Sequence, residues 1–167
     1  MGNGLSPCSL SRRASVHYSR RMVPTTYPLD GSEWAMLREQ VATIQALVTR
    51  RFGAAKFDDS VGDLPALQRL FDDNVFDESQ EDEIGAVASA FGNVVAKALG
   101  FEWVAESDGR GGRQPALILK ATKALVVQPR KMVLDRVRRG DPIDLTALLA
   151  DIKAQVDKTK LLPKKLG

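Results

Sequence analysis

Apolar residues recur at helical spacing from residue 32 onwards, and the period changes once along the chain. Over 32–52, Trp34, Leu37, Val41, Ile44, Leu47, Val48 and Phe52 fall on one face, the pattern of an amphipathic helix. Ser32 is its expected N-cap and Gly53 its stop. Trp34 and Phe52 are expected to anchor the core. Residues 54–63 read as an acidic connection. A shorter helix over 64–72 presents Leu67, Leu70 and Phe71, with Asp63 as cap and Pro65 in the first turn. A third helix, over 79–99, presents Ile84, Val87, Ala88, Phe91, Val95 and Ala98, and Gly100 ends it. Its flank is small-sided, with Gly85, Ala86, Ser89, Ala90 and Gly92, so another element is expected to approach it closely.

At residue 101 the period falls from 3.6 to 2. Phe101, Trp103 and Ala105 alternate with Glu102, Val104 and Glu106, which predicts a strand. Asp108 to Gly112 holds three glycines and reads as a hairpin turn. Ala116 to Leu119 is the returning strand and Ala124 to Val127 a third. Pro129 then opens a basic helix over 130–139, with Met132, Val133 and Val137 inward and Gly140 as its stop. Asp144 caps a last helix over 145–157, striped by Leu145, Leu148, Leu149, Ile152 and Val156. The predicted class is α+β: three N-terminal helices, a three-stranded antiparallel sheet built from a hairpin and one further strand, and two C-terminal helices packed on one face. Residues 1–29 are expected to be a disordered leader, 30–157 one domain, and 158–167 a Lys-rich flexible tail.

The composition narrows the chemistry. In 167 residues there is one Cys and one His, and both, Cys8 and His17, lie in the leader. An intrachain disulfide and a Cys/His zinc site are therefore excluded. General-base histidine and cysteine-nucleophile chemistry lose their usual residues in the folded part. No nucleophile elbow or phosphate-binding P-loop is present. The glycines at 109, 111 and 112 lie between strands, not ahead of a helix N-terminus, so they read as a turn. The acidic run from Asp72 fails the EF-hand pattern, which needs an acidic or amide residue at Phe76 and glycine at Asp77. Glu102 and Glu106 lie about 13–14 Å apart along a strand, too far for a glycosidase pair; Arg113 or Lys120 is the expected partner. No catalytic, cofactor-binding or metal-binding residue is assigned, and no cofactor is implied.

The net charge of +3 hides a segregation of signs. Residues 57–83 hold ten acids and one base, whereas 108–167 hold fourteen bases and six acids. Such runs usually solvate a face, but a pole could instead meet a partner of opposite sign and speed the encounter. The basic helix is the strongest candidate, with Arg130, Lys131, Arg136, Arg138 and Arg139 as partner-binding residues. Arg136 falls on or beside the inward stripe and is expected to pair with Asp144 or Asp135.

The leader carries Arg12, Arg13, Arg20 and Arg21 and no apolar run long enough for a secretory signal. Three readings of it compete. Met1-Gly2-Asn3-Gly4-Leu5-Ser6 fits a myristoylation signal, with Cys8 placed for a second acyl chain and stable anchoring. The Arg/Ser-rich run also fits an organellar transit peptide. The reading preferred on context is a true start downstream, at Met22 or Met36. The mass of the mature N-terminus distinguishes the three.

The second half resembles a bacterial family of domains of unknown function. The resemblance is carried by Gly100-Phe101-Glu102-Trp103-Val104, Asp108-Gly109, Pro115-Ala116-Leu117, Pro129, Met132, Arg136, Gly140, Ile143-Asp144-Leu145 and Leu148. It covers roughly residues 85–157. Gly109-Arg110-Gly111-Gly112 stands where the family has a tighter turn, often with an aromatic residue. The resemblance implies a cytoplasmic bacterial setting and transfers no activity. The function expected from the residues is a non-catalytic protein-binding module of adaptor or toxin-neutralising type, with another protein as partner and no membrane span. Nucleic-acid binding through helix 130–139 and the Lys-rich tail is the alternative. An enzyme using only carboxylate, Lys or Arg chemistry is a third.

Overall fold

The computed structural model describes residues 25–53, 56–107 and 109–161. The expectations for Gly2, Cys8, Met22 and the leader arginines concern residues outside these. A short strand, β1 (Thr26–Tyr27), leads into α1 (Gly31–Phe52), a 3-10 turn (Val61–Asp63), α2 (Leu64–Asp72) and α3 (Glu81–Leu99). Strands β2 (Phe101–Ser107), β3 (Arg113–Leu119) and β4 (Val126–Val127) follow, then α4 (Pro129–Arg139) and α5 (Leu145–Leu161). The sheet is an antiparallel meander in the order β1-β2-β3-β4.

The fold is thus α+β, with five α-helices among the described residues and one strand more than the sequence predicts. The extra strand falls in the stretch read as leader. Two residues carry no alternating pattern, so periodicity could not find β1. It is held by its neighbours: Thr26 pairs with Glu106 and Tyr27 with Ala105. Arg113 on β3 fixes it from the side. Its Nε and Nη2 donate to the two carboxylate oxygens of Glu33 at 2.9 Å, and Nη2 also donates to the Pro28 carbonyl at 3.1 Å. The guanidinium lies 5.7 Å from the Tyr27 ring centroid. Behind this clasp, Leu29, Leu37 and Ala105 form a small buried cluster against Trp103.

Helix α3 is the axis of the packing. Most of its length is buried, and it joins Ile44 and Val48 of α1, Leu67 and Leu70 of α2, Phe101 and Leu117 of the sheet, Val133 of α4 and Ile152 of α5 in one core. Fully burying such a side chain contributes about 1.5–3 kcal/mol, so this cluster dominates the stability. The C-terminal helices do not both lie on the sheet as predicted. α4 packs mainly on α3, and α5 packs on α2 and α3, because α3 already occupies the sheet's core-facing side. Phe101 and Trp103 on that side pair across to Leu119 and Leu117. Pro115 in β3 pairs with Ala105. Its missing N–H faces the side where β4 has already ended, so no ladder bond is lost.

Several local signals are read differently by the folded chain. The N-cap of α1 is Asp30, not Ser32, and Asp30 and Glu33 close a capping box. Trp34 is 40% exposed and does not anchor the core. Phe52 is half-buried beneath the Arg69 guanidinium, 4.2 Å from its centroid. Asp63 makes no side-chain cap; it is buried and accepts from the Asp58 N–H at 3.2 Å. Gln68 of α2 secures the start of α5, donating to the Ile143 carbonyl at 2.8 Å and accepting from the Leu145 N–H at 2.9 Å. The α5 helix continues to Leu161, so residues 158–161 of the predicted tail are helical, and 162–167 lie outside the described residues.

The small-sided flank of α3 is used as expected. A Cβ at Gly85 would overlap the Arg130 guanidinium, and one at Gly92 would overlap the Trp103 ring and stand 3.2 Å from Pro129 Cγ. Arg130 can swing aside, whereas Trp103 is fixed by the hydrogen bond its Nε1 donates to Asn93 Oδ1 at 2.9 Å. Gly92→Ala is therefore expected to lower stability by about 1–3 kcal/mol. Gly85→Ala should stay within about 1 kcal/mol of wild type, because a gain in helix propensity offsets the displaced side chain. Urea unfolding of both variants checks this, and equal losses would refute the distinction.

The carboxylates also predict a pH profile. Hydrogen bonds from Ser32 hold Asp30 below the usual range, and Arg113 does the same for Glu33. Folded values below the unfolded ones mean stability that is present above about pH 4 and lost as pH falls through the folded values. Asp63 has the opposite sign, since burial raises its pKa; its contribution is present at low pH and lost as pH rises through the raised value. Asp63→Asn should accordingly be more stable than wild type at pH 7, with the gap closing on acidification. Urea midpoints at several pH values measure it, and a less stable variant at pH 7 would contradict the sign.

Candidate functional site

The end of the acidic run meets the basic helix in the folded chain, through Glu81 and Asp82. Helix α4 lies antiparallel along α3, with Pro129 near Gly92 and Arg138 beside Glu81. The basic C-terminal end of α4 therefore sits at the acidic N-terminal end of α3, and each charge set also suits its own helix dipole. Arg130 Nη2 donates to Asp82 Oδ1 at 3.0 Å. Arg138 makes a two-pronged pair with Glu81, Nε and Nη2 each at 2.9 Å. Lys131 Nζ reaches Asp135 Oδ2 at 2.8 Å one turn along its own helix, and Arg139 Nε reaches Asp141 at 2.8 Å. The Lys131 bond holds the Asp135 carboxyl below the usual carboxylate range.

Of the five candidate cations, four are thus ion-paired. Arg136 is not: among the described residues no carboxylate lies within ion-pair distance, and its Nη1 donates to the Met132 carbonyl at 3.3 Å. The expected partners are engaged elsewhere. Asp135 holds Lys131, and Asp144 accepts from the Ala147 N–H at 2.8 Å as the cap of α5. The strand glutamates also choose unexpected partners. Glu102 pairs with Lys123, and Glu106 accepts from the Gln128 side chain.

Beside the α3–α4 seam is an open cleft of about 590 Å³. Its walls come from α1 (Met36, Gln40), α3 (Glu81, Asp82, Ser89), β2–β3 (Trp103, Gln114, Pro115) and α4 with the residue before it (Gln128, Arg130, Lys131, Leu134, Asp135, Arg138). Three of the five predicted cations line it; Arg136 and Arg139 line a neighbouring hollow against α5. Trp103, Pro115, Leu134 and Met36 give it an apolar surface. Ser89, buried on α3, donates to Gln40 Oε1 at 2.7 Å and so ties α1 to α3 within the cleft. Sequence reasoning missed Gln40, Gln114, Gln128 and the part played by Trp103, because single amides carry no spacing pattern. Among the described residues no group of three or more His, Cys, Asp or Glu side chains is placed to hold a metal ion, and no helix is long and apolar enough to cross a membrane.

A family model, Domain of unknown function (DUF3806), matches residues 63–148. The chain belongs to the DUF3806 family. The match runs from the start of α2 into the first turn of α5, so DUF3806 takes in every wall of the cleft except α1. The fold is also similar to that of a crystal structure from Bacteroides thetaiotaomicron VPI-5482, with a TM-score of 0.70 at 19% identity over 77% of this chain. The similarity covers 47% of that chain, so this DUF3806 chain spans about half the length of its structural relative. No curated protein matches the chain.

Arg136 is half-buried, but it has no acidic partner among the described residues and its one long hydrogen bond stays within α4, so Arg136→Ala is expected to change stability by no more than about 1 kcal/mol. A melting temperature lowered by several degrees would instead show that it carries a structural contact.

Proposed function

We propose that this domain is a non-catalytic module that binds another protein through the cleft between α1, α3, the β2–β3 hairpin and α4. One observation carries the reading. The charges lining the cleft cancel in pairs, Arg130 with Asp82, Arg138 with Glu81 and Lys131 with Asp135, which leaves an indole, apolar side chains and neutral amides as the groups free to make contacts. Aromatic and apolar centres with a polar rim are what protein interfaces use. A nucleic-acid site needs a field of unneutralised cations, and here Glu81 and Asp82 stand where phosphates would have to come. The five cations of α4 therefore act in this reading as rim and scaffold, with Arg136 and Arg139 outside the cleft.

A photo-cross-linking residue in place of Met36, which is 40% exposed at the cleft rim, tests the reading in native cells. The expected result is one discrete protein adduct, absent when the same residue replaces Val61, which is 56% exposed and outside the cleft. Adducts to nucleic acid alone, or identical labelling from both positions, would overturn it. Titration of the purified chain with generic DNA and RNA at rising salt complements the experiment: tight, steeply salt-dependent binding favours the nucleic-acid alternative.

A further inference from the structure

Resting on that reading, we infer that the cleft takes an uncharged, extended stretch of the partner's chain, with main-chain amides met by Gln40, Gln114 and Gln128 and one apolar side chain seated on Trp103. The hydrogen-bonding capacity left over in the cleft points to this ligand. Gln40 spends its Oε1 on Ser89, and its Nε2 has no partner among the described residues. Gln128 spends its Nε2 on Glu106, and its Oε1 is likewise without a partner. Gln114 is exposed at the mouth and has neither group engaged by a described residue. The cleft thus offers unspent donors and unspent acceptors, all neutral. An extended peptide presents both at each residue, alternating along about 3.3 Å per residue.

Charge gives the same answer by subtraction. The three cations and three carboxylates that line the cleft sum to zero and hold each other. An anionic segment would have to displace Glu81, Asp82 or Asp135 and leave them facing it. A cationic segment would meet Arg130, Lys131 and Arg138 in the same way. A neutral segment disturbs none of these pairs. The apolar surface fixes where a side chain goes. Trp103 is held by its bond to Asn93 Oδ1 at 2.9 Å, and Asn93 Nδ2 is in turn held by Asp59 Oδ1 at 3.0 Å. The indole is thus a preorganised platform, and binding to it requires no rotamer to be frozen. A cleft of about 590 Å³ lies in the range of sites that enclose small ligands, about 300–1,000 Å³, so it accommodates a short stretch and not a folded domain.

The test pans a displayed library of random linear twelve-residue peptides against the full chain. Enrichment of uncharged sequences with a large apolar residue is expected. The best such peptide, titrated into a Trp34→Phe variant, should shift the fluorescence of the remaining Trp103. Gln114→Ala removes an exposed amide without touching the fold and should weaken that peptide several-fold to about tenfold, the range for one lost hydrogen bond. Arg139→Ala, outside the cleft, should leave its affinity within about twofold. Enrichment of acidic or basic peptides, no enrichment, or equal affinity for the Gln114 variant would each overturn the inference. A discrete protein adduct from position 36 without peptide enrichment would sink this inference and leave the protein-binding reading standing.

Discussion

Gly92 of α3 has no side chain, and the space this leaves sets how closely Trp103 of the sheet and Pro129 at the start of α4 can come; two turns earlier, Gly85 leaves room for the movable Arg130 side chain. Arg130 lies where a Gly85 side chain would be, and Trp103 with Pro129 where a Gly92 side chain would be. Everything at the cleft follows from that approach. The indole becomes part of its lining, Ser89 between the two glycines ties in Gln40, and the basic face of α4 comes within reach of Glu81 and Asp82. Close packing of this kind tolerates little added volume, and overpacking costs about 1–3 kcal/mol. The α3–α4 ion pairs are solvent-exposed, and such pairs contribute about 0–1 kcal/mol each. Shape therefore positions α4, and the charges follow.

The weak energy of those pairs does not make them unimportant. Their effect is on the field outside the protein. Left open, the run from Arg130 to Arg139 would draw in polyanions, and the run from Asp58 to Glu83 would draw in cations. Folded against each other they largely cancel at the cleft. The sign segregation that looks like a docking signal in the sequence is resolved only where Glu81 and Asp82 meet Arg138 and Arg130. What remains at the cleft is short-range chemistry, hydrogen bonds and apolar contact, through which the proposed binding would select by shape and valence.

Much of the architecture was legible in the residues. The switch from a 3.6 to a 2.0 period at Phe101, the stops at Gly53, Gly100 and Gly140, and the hairpin before Arg113 follow from steric and hydrophobic rules acting over a few residues. The small side of α3 even announced a close neighbour. The misses were non-local. β1 exists because Arg113, some ninety residues later, clasps Glu33 and Pro28. Trp34 keeps an amphipathic position and yet stays exposed, because Trp103 and Leu29 fill the cluster at Leu37. Arg136 lost its expected partners to Lys131 and to the cap of α5. The cleft amides come from α1, β3 and the residue before α4, so only the tertiary fold brings them together.

The family span divides the cleft in an informative way. Residues 63–148 supply α3, the hairpin and α4, so the glycine-lined seam and Trp103 belong to the part that matches the family model. Met36 and Gln40 come from α1, outside that span. The wall that completes the cleft is thus supplied by a helix anchored through Leu37, Ile44 and Val48, and one hydroxyl-to-amide bond at Ser89 adds to that packing on α3. Two chains could share the seam and differ in this wall, and would then present the same platform with different hydrogen-bonding groups opposite it. At 19% identity the structural relative shares the fold, and fold alone transfers no ligand. In the proposed binding mode, selectivity would rest on the residue facing Ser89 and on the exposed amide of Gln114, because they set which donors and acceptors would confront a side chain seated on Trp103.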